Sequence, residues 1–306
     1  MPQCLEKESE MDVQINLDVG EKLVEKIADA VEIIYDPYGD KKAYKELVKT
    51  IFHDIGEDET LTYEEKIGIA QECRFLLKKN KNRKKIISDA IGYLQENASP
   101  NLVDDSWLVN FWDKAGTVSD EMFQNLWSRI LAEEVNKPNT VSKRLLHNLS
   151  LMSTYDANNF INLCRFCFFE QIYKVAHPII FIKDDSAFYS SFDITSDVLK
   201  ELEQFSLIET NYDTGFVFLN RKILTYGQTS LDMQAKRIPV GNVKLTSDGQ
   251  KLFSIISKSQ DSKILDYTIE KLQYTNCEVK AYFRTHVNTP YASQVASLLD
   301  KSSAQN

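Results

Sequence analysis

The chain has 306 residues, with 43% hydrophobic and 26% charged side chains, the balance of a folded globular protein with room for about two domains. Ten glycines and seven prolines exclude collagen and argue against glycine-rich barrels, sandwiches and phosphate-cradling loops. A net charge of -9 is a poor start for coating nucleic acid, and a mean hydropathy of -0.34 with no long apolar run excludes a spanning helix.

Residues 1–16 read as a polar leader. Met1 to Asp12 carries Glu6, Lys7, Glu8 and Glu10 without an apolar run, so no secretory signal is expected. Residues 17–100 read as a helical N-terminal region. Val19, Leu23, Ile27, Val31 and Ile34 recur at helical spacing, and Asp36-Pro37-Tyr38-Gly39-Asp40 closes that helix with turn chemistry. Tyr44, Leu47, Val48, Ile51, Phe52 and Ile55 mark a second helix ending at Gly56. Thr62-x-x-Glu65 is a capping box that opens a third through Ile69, Ala70, Cys73, Leu76 and Leu77. A fourth carries Ile86, Ile87, Ala90, Ile91 and Leu94 and ends at Asn97-Ala98-Ser99-Pro100. At the expected joint between these two lie Lys78, Lys79, Lys81, Arg83, Lys84 and Lys85, beyond a stretch of sixty residues with 7 basic and 16 acidic side chains. Such a cluster suits a phosphate, an anionic surface or an acidic partner.

Residues 101–177 read as a Trp-rich helical core. Trp107, Leu108, Phe111 and Trp112 form one apolar face, and Ser119 is positioned to cap a helix with Met122, Phe123, Leu126, Trp127, Ile130 and Leu131 turned inward. Lys137-Pro138 ends it. A further helix carries Val141, Leu145, Leu146, Leu149 and Met152, and a long one from Thr154 carries Phe160, Cys164, Cys167 and Phe168. All three tryptophans fall between 107 and 127, where they pin neighbouring helices.

The pattern changes after His177, and residues 178–287 read as a small α+β module followed by a polar tail, 288–306. Pro178 to Ile182 is a strand-like run. Ile194, Val198, Leu199, Leu202 and Phe205 form a short helix ending at Leu207-Ile208. Phe216 to Leu219 and Val243 to Leu245 bracket a long hairpin-like excursion. Thr246-x-x-Gly249 then starts a helix, and a last helix spans about Lys263 to Leu272. Helix, strand pair and helix in this order resemble a winged helix. The fold class expected is mainly α, an N-terminal multi-helix domain followed by a winged-helix-like module.

Little in the chain points to a reaction. Five cysteines (4, 73, 164, 167, 277) read as free thiols of a reducing cytoplasm. Cys164-x-x-Cys167 with His177 downstream lacks the remaining ligands of a structural zinc site and reads as core. Phosphate-loop, dinucleotide, metalloprotease and calcium-loop motifs are absent, so no cofactor or catalytic residue is expected. In the presumed wing, Arg221, Lys222, Lys236, Arg237 and Lys244 outnumber Asp213 and Asp232. The presumed reading helix instead carries Asp193, Asp197, Glu201, Glu203 and Glu209 against Lys200, which phosphates would repel.

The run Trp107-x-x-x-Phe111-Trp112, Ser119-Asp120-Glu121, Leu126-Trp127-Ser128-Arg129-Ile130-Leu131-Ala132-Glu133-Glu134, Pro138 and Ser142-x-Arg144-x-Leu146 resembles the core of bacterial domain-of-unknown-function proteins. Those proteins are similar in layout to abortive-infection (Abi-alpha-like) anti-phage proteins. The resemblance covers about residues 100–180 and implies a role in phage defence, with no catalytic residue to transfer. Arg129, Glu134 and Arg144 are candidates for a polar partner surface, with pairing to Glu133 or across the Pro138 turn expected.

The expectation is a cytoplasmic, non-enzymatic adaptor or regulatory component of anti-phage defence, acting through a protein partner or self-association. The alternatives are a winged-helix DNA-binding regulator and an unrecognised nuclease or nucleotide hydrolase.

Overall fold

The computed structural model describes residues 18–31, 41–256, 259–275 and 277–283. The expected leader (1–16), the turn at Asp36 to Asp40 and the tail from 288 lie outside the described residues. The protein is mainly α with a smaller β part, and it divides into two compact units, Met1–Thr154 and Tyr155–Asn306. Among the described residues no helix is long and apolar enough to cross a membrane.

The first unit is helical. Helix α1 covers residues 18–31 and buries Leu23, Val24 and Ile27. Helix α2 is Lys41–Glu57, and α3 is Tyr63–Ile91. The Thr62 capping box forms in full: the Glu65 amide donates to Thr62 Oγ1, and Glu65 Oε2 accepts from the Thr62 amide at 2.8 Å. The third and fourth expected helices are one continuous helix of 29 residues. No glycine or proline interrupts Cys73 to Ile91, so nothing in the backbone ends the helix where the apolar stripe changes phase. At about 1.5 Å per residue α3 runs some 43 Å, and its buried residues all lie from Asn82 onward.

That buried end of α3 packs chiefly on α5, Glu121–Asn136, and also meets α4, Asp105–Ala115. Helix α4 in turn packs on α6, Lys143–Leu151. The cap of α5 is Asp120 rather than Ser119, its carboxylate accepting from the Phe123 amide at 3.1 Å. Trp107 stacks on Phe111 with ring centroids 5.3 Å apart, and Phe111 meets Trp127 at 5.4 Å. Trp127, Ile130, Leu131, Leu145 and Leu146 are fully buried around them.

The second unit begins with α7, Thr154–Cys164, which stops short of the expected length. Cys167 and Phe168 lie on strand β1, Cys167–Glu170, because Phe166 to Phe169 is a run of strand-favouring side chains. Strand β2 is Val175–Pro178, upstream of the predicted run, and pairs antiparallel with β1. Ile179 to Ile182 is buried but outside the strand, meeting Gly241 in a single parallel bridge at Ile180. Gly241 has φ +96°, and a Cβ there would stand 1.9 Å from the Ile180 carbonyl oxygen.

Helix α8 is Ser186–Ser190 and α9 is Ser196–Gln204. Helix α9 stops before Leu207. Ser206 adopts φ +56°, its amide donates to Glu203 O, and the Leu207 amide reaches back to Leu202 O, a Schellman stop. The excursion that follows is nested. Strand β3 (Ile208–Thr210) pairs with β8 (Val243–Leu245), β4 (Phe216–Leu219) with β7 (Arg237–Gly241), and β5 (Lys222–Tyr226) with β6 (Thr229–Gln234). Strand β9, Glu278–Phe283, completes a five-stranded sheet in the order β2-β1-β5-β6-β9. Helix α10, Ser247–Ile255, is capped by Thr246 as expected, with the Gly249 amide 3.0 Å from Thr246 Oγ1. Helix α11 is Ser262–Tyr274. Its Tyr267 ring stacks on Phe188 beside Phe166, Tyr189 and Phe192.

Candidate functional site

Three groups of residues singled out by sequence have distinct surroundings. The first is the basic run on α3. Lys78 and Lys81 are exposed, and the Lys79 ammonium sits 4.5 Å from the centre of the Phe75 ring. Lys84 is half-buried, and Lys85 pairs with Asp89 one turn on, at 2.9 Å. Arg83 leaves the patch. It is 9% exposed, donates from Nε to the Trp112 carbonyl at 2.9 Å and lies 4.5 Å over the Trp112 ring. That carbonyl belongs to the last turn of α4, the negative end of its dipole, where a cation is stabilising. Beside it Asn82 donates to the Gly116 carbonyl at 2.9 Å and accepts from Gln124 at 3.3 Å. Arg83 therefore serves the fold, Lys85 is exposed but paired, and Lys78 and Lys81 form an exposed part.

The exposed part belongs to a larger feature. From Glu46 to Lys81, the far ends of α2 and α3 and the loop between them, no described side chain is buried. This arm holds together through sparse contacts: Lys66 Nζ donates to the Gly56 carbonyl at 2.6 Å, and the Arg74 guanidinium lies 5.6 Å from the Phe52 ring. Ile51, Tyr63, Ile67, Ile69, Phe75 and Leu76 are all exposed on it.

The second group comes from the Trp-x-Arg-Ile-Leu-Ala string on α5. Arg129 is half-buried with its guanidinium 5.0 Å over the Tyr93 ring, and Arg144 is exposed on the first turn of α6. Glu134 points inward and is 1% exposed. Its carboxylate accepts three backbone amides of the α5–α6 loop, Asn139 at 2.6 Å, Thr140 at 3.1 Å and Val141 at 2.7 Å. From the other side Trp107 Nε1 donates to the Val141 carbonyl at 2.8 Å. Glu134 is thus a loop staple, a role that the polar surface expected of it does not include. The spacing gave one usable hint: a glutamate just before Pro138 and a loop of unpaired amides.

Glu134 borders a cavity of about 290 Å³ with Asp104, Trp107, Thr140, Ser142 and Lys143. Two helix N-termini meet there, but their own side chains cap them: Asp104 accepts from the Trp107 amide at 2.8 Å, and Ser142 from the Leu145 amide at 2.9 Å. The Ser106 hydroxyl, then the Trp107 amide, hold the Asp104 carboxyl below the usual range, and Lys143, 3.4 Å away, adds to this. The amide donors facing the cavity are spent on the fold.

The family model for DUF2806, a protein family of unknown function, matches residues 71–269, more than half of the chain. The chain belongs to this family. No curated protein and no solved structure matches it. The DUF2806 stretch takes in the buried end of α3, the tryptophan core, Glu134 and most of the second unit, and it leaves out α2 and the first turns of α3.

The third group lies in the second unit of this DUF2806 member. The nested ladders bring Arg221 and Lys222 close to Lys236 and Arg237, since Leu219 is paired with Arg237 and the Asn220 amide donates to the Lys236 carbonyl at 3.3 Å. Lys236 and Arg237 are exposed. Arg221 makes a two-pronged bond to Asp232, at 2.8 and 2.6 Å. Lys222 donates to the buried Glu170 at 2.7 Å.

Glu170 has no local sequence signal, yet it anchors a polar cluster that joins three strands of the sheet. Its second oxygen lies 3.1 Å from His177 Nε2, so β1, β2 and β5 each contribute one member. Phe218 packs edge-on against His177 at 4.8 Å. Burial pushes the His177 pKa down; Glu170 opposes this, while Lys222 and Lys244 add to it. The three residues are 7 to 52 positions apart, a separation no local pattern reveals. Cys164 and Cys167 are buried thiols outside any disulfide, and among the described residues no group of three or more metal-ligating side chains forms.

Proposed function

We propose that this DUF2806 protein is a cytoplasmic, non-enzymatic adaptor or regulatory component of bacterial anti-phage defence, of the abortive-infection type, working through protein–protein contacts. The observation that supports a binding role is the arm: the described residues from Glu46 to Lys81 present Ile67, Phe75 and Leu76 to solvent with none buried. A folded protein rarely leaves so many large apolar side chains on one protrusion unless they meet a partner. The defence role follows from the resemblance of the Trp127 to Glu134 string to Abi-alpha-like proteins. The second unit is read as a winged-helix-like module because α9, a ribbon and α10 follow one another in that order.

Two features count against the same module reading DNA. Helix α9 exposes Asp197, Glu201 and Glu203, and its Lys200 pairs with Asp197 at 3.0 Å. Arg221 and Lys222 are held by Asp232 and Glu170.

The test is phage challenge of a bacterial host expressing the full chain. Plating efficiency is expected to fall on at least part of a diverse phage panel, and the fall is expected to vanish with Ile67→Asp/Phe75→Asp while expression is kept. Unchanged plating across the panel removes the defence reading. Salt-sensitive retention of duplex DNA in a gel shift replaces it with the regulator.

A further inference from the structure

We propose that the partner of the arm is a second copy of this chain, docked antiparallel along α3 about a two-fold axis at Gln71. This rests on the reading of the arm as a docking surface and names what docks.

Glu64, Ile67, Gln71, Phe75 and Lys78 are all exposed, and their spacing of 3, 4, 4 and 3 residues places them on one stripe of α3. Ile67 is 40% exposed and Phe75 50%. The half-buried side chains Lys66, Ala70, Cys73 and Leu77 lie on another flank of α3, where Lys66 reaches the Gly56 carbonyl of α2. A Cβ at Gly68, beside the stripe, would meet nothing within 4 Å.

The stripe is its own antiparallel complement. With Gln71 on the axis, Ile67 meets Phe75 of the other copy and Glu64 meets its Lys78, each contact occurring twice, as an isologous interface requires. The wider charge follows the same order. Glu57, Asp58, Glu59 and Glu64 lie at the tip of the arm, and Lys78, Lys79 and Lys81 lie towards its base. An antiparallel copy places tip against base, opposite charges together at both ends, whereas a parallel copy places acid on acid and base on base. Two helical hairpins joined this way make a four-helix bundle, which gives both α3 stripes the cover that the described residues of one copy do not supply.

Sedimentation equilibrium of the purified full chain tests this without reference to phage. A dimer is expected, weakened about tenfold or more by Ile67→Asp/Phe75→Asp, with the helical circular dichroism kept because both side chains are already exposed. Glu64→Lys alone and Lys78→Glu alone are each expected to weaken the dimer. Mixing the two variants, or combining both changes in one chain, restores it. A monomer throughout the micromolar range overturns the proposal, whether another segment of the chain or another protein covers the stripe. So does a dimer indifferent to Ile67→Asp/Phe75→Asp, or charge variants that are not rescued on mixing. A monomer that still protects cells leaves the adaptor reading standing, and a dimer that fails to protect removes only that reading.

Discussion

The arm and the tryptophan core are built from the same kind of helix and end in opposite states. In α5, ten of sixteen residues are buried, including Trp127 and Glu134. In the far two-thirds of α3 the same helical spacing of apolar residues covers nothing fully. An amphipathic stripe states that a face exists; only neighbours decide whether that face becomes core or contact surface.

The sharpest way to break the contrast is to empty the core. Trp127→Ala is expected to cost about 3–5 kcal/mol, read as a fall in the urea midpoint, and a shift under 1 kcal/mol would show that the core is not where stability resides. Next comes Glu134→Ala, which leaves three loop amides without their acceptor and is expected to cost about 3 kcal/mol. Amide exchange of Asn139 to Val141 should accelerate in the same variant.

The Glu170 cluster extends the comparison to a polar core in a sheet. His177 is held below its ordinary value of 6.5, so on acidification the unfolded chain takes up this proton first. Stability from the neutral ring is present above about 6.5 and is lost as pH falls below it. The thermal midpoint of the parent should therefore drop more steeply into the acidic range than that of His177→Gln, and parallel pH profiles would refute the assignment. The smallest effect belongs to the arm. Ile67→Asp/Phe75→Asp should change stability in dilute solution by no more than about 0.5 kcal/mol per site, and a loss as large as that of Trp127→Ala would mean the arm is part of the core.

Much of the helical half was legible because its signals are local. The capping box at Thr62 and Glu65, the face Trp107-Leu108-Phe111-Trp112 and the start of α10 at Thr246 each depend on residues within five positions of one another. The apolar stripe of α3 shifts phase between Leu77 and Ile86 and so suggests two helices, but the backbone there has no reason to break. The β part was harder. Phe166 to Phe169 carries apolar residues in a run that suits a buried helix or a strand alike, and the partners of β4 and β8 lie across a nested ribbon. For Glu134 the motif marks only a polar residue, while the loop amides it must satisfy lie beyond Pro138.

Composition and local spacing determined by themselves that this chain is largely helical and acidic, and that Thr62 and Thr246 cap two of its helices. Those outcomes follow from interactions within one or two turns of backbone. Tertiary structure alone decided that Arg83 closes α4, that Glu134 holds a loop, that Glu170 gathers Lys222 and His177, and that the described residues leave a stripe of α3 exposed. Each depends on which distant groups exclude water from one another, and burial is a property of the assembled fold that no short window of sequence contains.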